Sequence, residues 1–157
     1  MKIVVSGAVP TSAARRVPTL RRALKAALGR TARRRGELCL IFASDRNIRR
    51  LNREHLGHDF ATDVISFSYP CAAPLLRMEQ PPFGDVYVAV GVARRQAAEL
   101  GHDLFRELLT LAIHGTLHLV GYDDKKSAAR RRMFARQERI VRVFAGPGGT
   151  ERPAAPQ

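Results

Sequence analysis

A chain of 157 residues is long enough for one domain with a buried core, and its 45% hydrophobic content is that of a globular protein. The formal net charge of +13, carried mostly by Arg, points to a polyanionic partner, most simply nucleic acid, against the plainer reading of many solvated Arg side chains. Cys39 and Cys71 have no metal-binding spacing and read as unpaired thiols of a reducing cytoplasm. The apolar run after Met1 is too short for a signal peptide and no stretch reads as a membrane span, so a soluble cytoplasmic protein is expected.

In chain order, residues 2–6 read as a short strand. Thr11 and Ser12 can cap a helix reaching about Leu28, with Val17, Leu20, Leu24 and Leu28 at helical spacing. A basic loop over 29–36 leads to a second strand at 38–43. Ser44 is a good N-cap for a helix over 45–55. On that helix Arg46, Arg49, Arg50 and Arg53 fall on one stripe, where four like charges repel unless something anionic offsets them. The stripe is read as a track for RNA phosphate, the alternative being a solvated helix face. Gly57 breaks the helix, and 63–68 is a third strand rich in β-branched and aromatic residues. Pro70, Pro74, Pro81 and Pro82 punctuate a long loop before a fourth strand over 84–90 and a helix over 91–100.

The next helix carries the chemistry. Asp103 is favourable near its N-terminus. Leu104, Phe105, Leu108, Leu109, Leu111, Ala112 and Ile113 make it apolar nearly all round, which places it in the core. His114 and His118 stand four apart, so both rings leave one side of the helix, ~6 Å apart along it. With metal–nitrogen bonds of ~2 Å, one ion can sit between them. A bare pair of this kind also fits two core His bonded to backbone. Gly121-Tyr122-Asp123-Asp124 favours the metal, because Gly121 can end the helix and let the chain bring Asp124 back as a third ligand. Two His and one carboxylate leave a coordination position open, as catalytic sites do. A last amphipathic helix spans 127–143 with Met133, Phe134, Ile140 and Val141, and the Gly-, Pro- and Ala-rich 146–157 is expected to be a disordered tail after a single domain over 1–145.

His114-Gly115-Thr116-Leu117-His118-Leu119-Val120-Gly121-Tyr122-Asp123 resembles the signature of the YbeY family of rRNA maturation endoribonucleases. Leu51-Asn52, Asp59, the run from Thr62 to Phe67, Gly84-Asp85 and Met133 with Glu138 agree in order and spacing, over roughly residues 35–143. The chain departs from the commonest pattern of that family at Asp124, where a third His is usual, and at Leu56, where Arg is usual. Asp124-Lys125 is similar to a known branch of the family, which keeps the third-ligand role on Asp124.

Four strands out of strict alternation with helices, and helices covering them, imply an α+β fold with the metal site on a buried helix. The resemblance implies the same, with a small mixed four-stranded sheet covered by helices and the metal in a cleft. A divalent ion, Zn being the first expectation, can serve phosphodiester hydrolysis, so His114, His118 and Asp124 are the expected metal-binding and catalytic residues. Gly115 stands where the H-E-x-x-H protease helix has its Glu, so this is not that helix. Glu107, Asp63, Asp85 and Asp123 remain equal candidates for a base. The resemblance implies a single-strand-specific endoribonuclease acting on rRNA precursors and ribosomal particles, in 3′-end processing of the small-subunit rRNA and in ribosome quality control. The rivals are a ribosome assembly factor with a structural metal, and a metal hydrolase of another substrate.

Overall fold

The computed structural model describes residues 1–70, 74 and 77–146. Residues 147–157 of the expected tail, and Cys71, lie outside the described residues. Four strands, β1 (Lys2–Gly7), β2 (Glu37–Ala43), β3 (Val64–Ser68) and β4 (Pro82–Ala89), form one sheet in the order β1-β2-β4-β3. β1, β2 and β4 run parallel, and β3 runs antiparallel to β4. The helices are α1 (Thr11–Ala14), α2 (Val17–Leu28), α3 (Asp45–Leu56), α4 (Val90–Leu100), α5 (Leu104–Leu119) and α6 (Ser127–Ala145). This is the expected α+β fold with a small mixed sheet. Among the described residues no helix is long and apolar enough to cross a membrane.

Side chains alternate across a strand, and that period assigns the two faces. Leu38, Leu40 and Phe42 of β2, with Val86 and Val88 of β4, join the main core under α2, α5 and α6. Ile65, Phe67 and Tyr87 point the other way and pack with Ile48 and Leu51 of α3 in a smaller cluster. Ser44 caps α3 as read, its hydroxyl accepting from the Asn47 N–H at 3.2 Å. α4 begins without a capping side chain of its own. Asp45 of α3 supplies one from outside, accepting from the Val92 N–H at 3.1 Å and from Arg95 at 2.8 Å.

One expected element is divided. The helix read over 11–28 is two, α1 and α2, joined through Arg15 and Arg16. Pro18 decides this: it sits in the first turn of α2, where a missing N–H breaks no intrahelical bond. Deeper in a continuous helix its ring would clash with the carbonyl of Ala14.

α5 is the central helix, with 11 of its 16 residues buried. Asp103 is its N-cap, accepting from the Arg106 N–H at 2.7 Å. Gly115 lets α5 lie directly on the sheet. A Cβ there would come within 2.6 Å of Val86 Cγ1, 2.8 Å of Ser66 Oγ and 3.0 Å of Val64 Cγ2. Ser66 also donates to the Gly115 carbonyl at 3.0 Å, so β3 is bonded to the helix at its closest point.

Gly115→Ala should therefore destabilise the fold despite the better helix propensity of Ala. Overpacking costs roughly 1–3 kcal/mol against a gain of at most ~1 kcal/mol. Thermal unfolding should show a Tm lower by roughly 2–6 °C at this chain length. A Tm at or above that of the wild type would mean that the sheet yields to the helix.

Candidate metal centre

α5 ends where a metal site needs it to end. Gly121 has φ +96°, a conformation that Gly adopts without strain. Its N–H donates to the His118 carbonyl at 3.0 Å, and the Tyr122 N–H donates to the Leu117 carbonyl at 3.0 Å. These paired bonds are a Schellman closure, which reverses the chain over the last turn. The reversal returns Asp124 to the two imidazoles.

The three donors then converge. His114 Nε2 and His118 Nε2 are 3.1 Å apart, and Asp124 Oδ2 lies 3.5 Å from each. Among the described residues this is the group of His, Cys, Asp and Glu side chains able to hold an ion. A tetrahedral ion with bonds of ~2.1 Å holds its ligand atoms ~3.4 Å apart. The triangle has the size of one face of that tetrahedron.

The other ring nitrogens say what the triangle lacks. His118 Nδ1 is 3.0 Å from the Tyr122 carbonyl, which can only accept, so Nδ1 carries the proton. His114 Nδ1 is 2.9 Å from Gln137 Oε1, which likewise accepts. Both Nε2 atoms therefore present lone pairs, and they face a carboxylate oxygen. Three acceptors meet with no donor between them. A proton shared between two of them leaves the third without a donor, whereas a divalent cation satisfies all three. The chain's own residues thus fit the metal that the sequence motif implies. The negative end of the α5 dipole lies at His118 and favours a cation there as well.

Burial holds the His114 pKa below its ordinary 6.5, with the neighbouring His118 adding to the shift, while the bond to Gln137 and the charges of Asp124 and Asp63 oppose it. His114 is thus kept in the neutral form that binds metal. The site is open on one side: the side chains of His118 and Asp124 are 33% and 37% exposed, against 17% for His114. A structural metal site is closed by protein ligands, and this one is not.

The other candidate residues are placed elsewhere or otherwise engaged. Glu107 is fully buried and pairs with His102 Nε2 at 2.6 Å, away from the triangle. Asp85 accepts from the Tyr69 hydroxyl at 2.7 Å, and Asp123 from the Lys125 N–H at 3.0 Å. Asp63 accepts from Gln96 at 3.1 Å and is near enough to act electrostatically on His114. Cys39 is a free thiol, pushed up to about 11 chiefly by burial, and so stays protonated and unreactive at neutral pH.

Arg46, Arg49, Arg50 and Arg53 are exposed on α3 as read. The anion that offsets their repulsion is partly internal. Asp59 binds Arg49 through both oxygens, at 2.9 and 3.1 Å, and lies 3.9 Å from Arg53. Arg46 and Arg50 form no ion pair among the described residues.

Gln137 went unread in the sequence, although a signal was there. It falls between Met133 and Ile140 on the apolar stripe of α6, and a polar residue in such a stripe needs a buried partner. That partner is His114.

A family model described as endoribonuclease YbeY matches residues 9–145. A protein named endoribonuclease YbeY from Elusimicrobium minutum is 41% identical over 127 residues, covering 81% of this chain and 87% of that protein. Another of that name, from Geobacillus thermodenitrificans, is 40% identical over 113 residues, covering 69% of this chain and 72% of its own. A solution structure of a protein from Thermotoga maritima matches with a TM-score of 0.62 at 26% identity, over 92% of this chain and 89% of that one.

Metal titration of the purified protein should find about one divalent ion per chain, lost in His114→Ala and in His118→Ala. Full occupancy in both variants would remove the site. Gln137→Leu should weaken metal binding by about 10- to 100-fold through the freed His114 ring. It should leave Tm nearly unchanged, because the Gln137 Nε2 is buried without a partner among the described residues. The metal-free protein should also lose stability as pH falls below 6.5. There the unfolded imidazole takes up a proton that the folded His114, with its lowered pKa, does not. The loss ends once the pH is below the folded value. His114→Asn should make that limb of the Tm–pH curve shallower, and an unchanged limb would show that other groups produce it.

Proposed function

The chain belongs to the YbeY family of endoribonucleases, and on that premise we propose that it is a metal-dependent endoribonuclease acting on single-stranded RNA. Its substrate on this reading is the rRNA precursor within ribosomal particles, at the 3′ end of the small-subunit rRNA, with a part in ribosome quality control. The observation that carries the reading is the open triangle of His114, His118 and Asp124: three converging acceptors, sized for one ion, with solvent on one side. Zn is the ion we favour, since two imidazoles and one carboxylate in tetrahedral spacing suit it. We take residues 1–145 as one catalytic domain, working in the cytoplasm.

A divalent ion in this site would supply Lewis acidity toward a phosphodiester. The chain's own residues supply the rest. His114 and His118 each hold a proton on Nδ1, against Gln137 and the Tyr122 carbonyl, which fixes both rings and keeps both Nε2 lone pairs free. Asp124 adds negative charge at the open side. Asp63 accepts from Gln96 and acts electrostatically on His114. Arg46 and Arg50 are the stripe residues best placed to take phosphate, since Asp59 already engages Arg49 and approaches Arg53.

The openness of the triangle also weighs against an assembly factor with a structural metal, and the net charge of +13 weighs against a hydrolase of small neutral substrates. Purified protein should cut single-stranded RNA, lose that activity to a chelator, regain it with Zn, and lose it in His114→Ala. Metal binding without any cleavage of RNA would return the reading to the assembly factor. Arg46→Ala with Arg50→Ala should flatten the salt dependence of RNA binding by about two ions, and Arg49→Ala should do so by less. An equal effect of all four Arg would show that RNA displaces Asp59.

A further inference from the structure

Asp124 is the ligand with the least support from its own element. It follows the Schellman closure in an irregular stretch and is the most exposed corner of the triangle. His114 and His118 are carried by a buried helix and each has a partner at Nδ1. Asp124 is held instead through its backbone: Arg130 Nε donates to the Asp124 carbonyl at 2.8 Å. Arg130 lies on α6, on the same face as Met133 and Gln137, three and seven residues further along. Met133 is fully buried and anchors that face in the core, and Gln137 holds His114. One rigid helix face therefore reaches two corners of the triangle.

Helix physics offers no other reason for Arg at this place. The first turn of a helix favours acidic residues, and α6 has none there and no side-chain cap. Arg130, at the end of that turn, is set against the dipole. It is also half-buried rather than extended into solvent. Arg130 is thus a mechanical tie for this loop, through the Asp124 carbonyl.

We propose that Arg130 is the positioning residue of the metal centre, fixing Asp124 in the triangle and thereby setting metal affinity. The proposal rests on His114, His118 and Asp124 binding the ion, and not on which RNA is cut. The test is a Zn competition titration of metal-free protein against a chelating dye. Arg130→Met keeps the aliphatic stem and the helix but removes the donor, and it should weaken Zn binding by about 10- to 100-fold with the metal-free Tm unchanged. Arg130→Lys, which keeps a charged donor, should recover part of the loss. In an Asp124→Ala background, Arg130→Met should change Zn affinity no further, because the residue acts through Asp124. RNA cleavage by Arg130→Met should return at saturating Zn.

Unchanged affinity in Arg130→Met would overturn the proposal while leaving the metal site standing. An equal fold-loss with and without Asp124 would overturn it too, by showing a general structural effect. Failure of the wild type to bind Zn or any other divalent ion would remove the site and the proposal together. Loss of RNA cleavage as a property of the wild type, with these affinities as expected, would overturn the endoribonuclease reading alone.

Discussion

Everything at the metal centre depends on α5 being buried against the sheet. Two imidazoles can hold an ion only if their rings stay fixed relative to each other, and side chains on a mobile element would not stay so. α5 obtains its rigidity from Leu108, Leu109, Ala112, Ile113 and Leu117, all fully buried, and from the close approach at Gly115. The lack of a side chain at Gly115 is what allows β3 and β4 to lie so near. It also explains in physical terms why the protease arrangement, with Glu at that position, is incompatible with this packing: a carboxylate would be driven into Val86, Ser66 and Val64.

Around that helix the fold supplies one restraint per ligand, each of a different kind. His118 is restrained by the backbone of the helix stop, through the Tyr122 carbonyl. His114 is restrained by a side chain, Gln137, from the following helix. Asp124 is restrained through its own carbonyl by Arg130. The first two also set the tautomers, so the same bonds that fix geometry prepare the nitrogens as ligands. Burial of His114 acts in the same direction by disfavouring its charged form.

The charge of the protein divides in a way that bears on RNA. The surface is strongly basic, yet some of its Arg are already engaged. Asp59 binds Arg49, Asp45 binds Arg95, and Arg136 donates to the Ala26 carbonyl. Net charge therefore overstates the number of cations available to phosphate. Exposed pairs of this kind contribute little to stability.

The local features were legible from residue order. Four-residue spacing puts His114 and His118 on one side of any helix, Gly121 permits the reversal, and Ser44 caps the helix that follows it, because each of these acts within a few residues of backbone geometry. The α+β class followed from the irregular alternation of strands and helices, and the mixed sheet from the family resemblance. What only the tertiary structure decided are the partners that lie far apart in the chain or across a packing contact. Gln137 meets His114 across 23 residues, and Ser66 meets Gly115 across 49. Asp59 reaches the Arg stripe only after the chain has turned at Gly57. The break before α2 lay within reach of the sequence, since Pro18 signals it, but helical spacing of the apolar residues on both sides concealed it. Periodicity reports which face of an element is apolar, and it carries no information about which other element that face will meet. The candidate ligands of the site belong to the first kind of knowledge, and the bonds that hold them to the second.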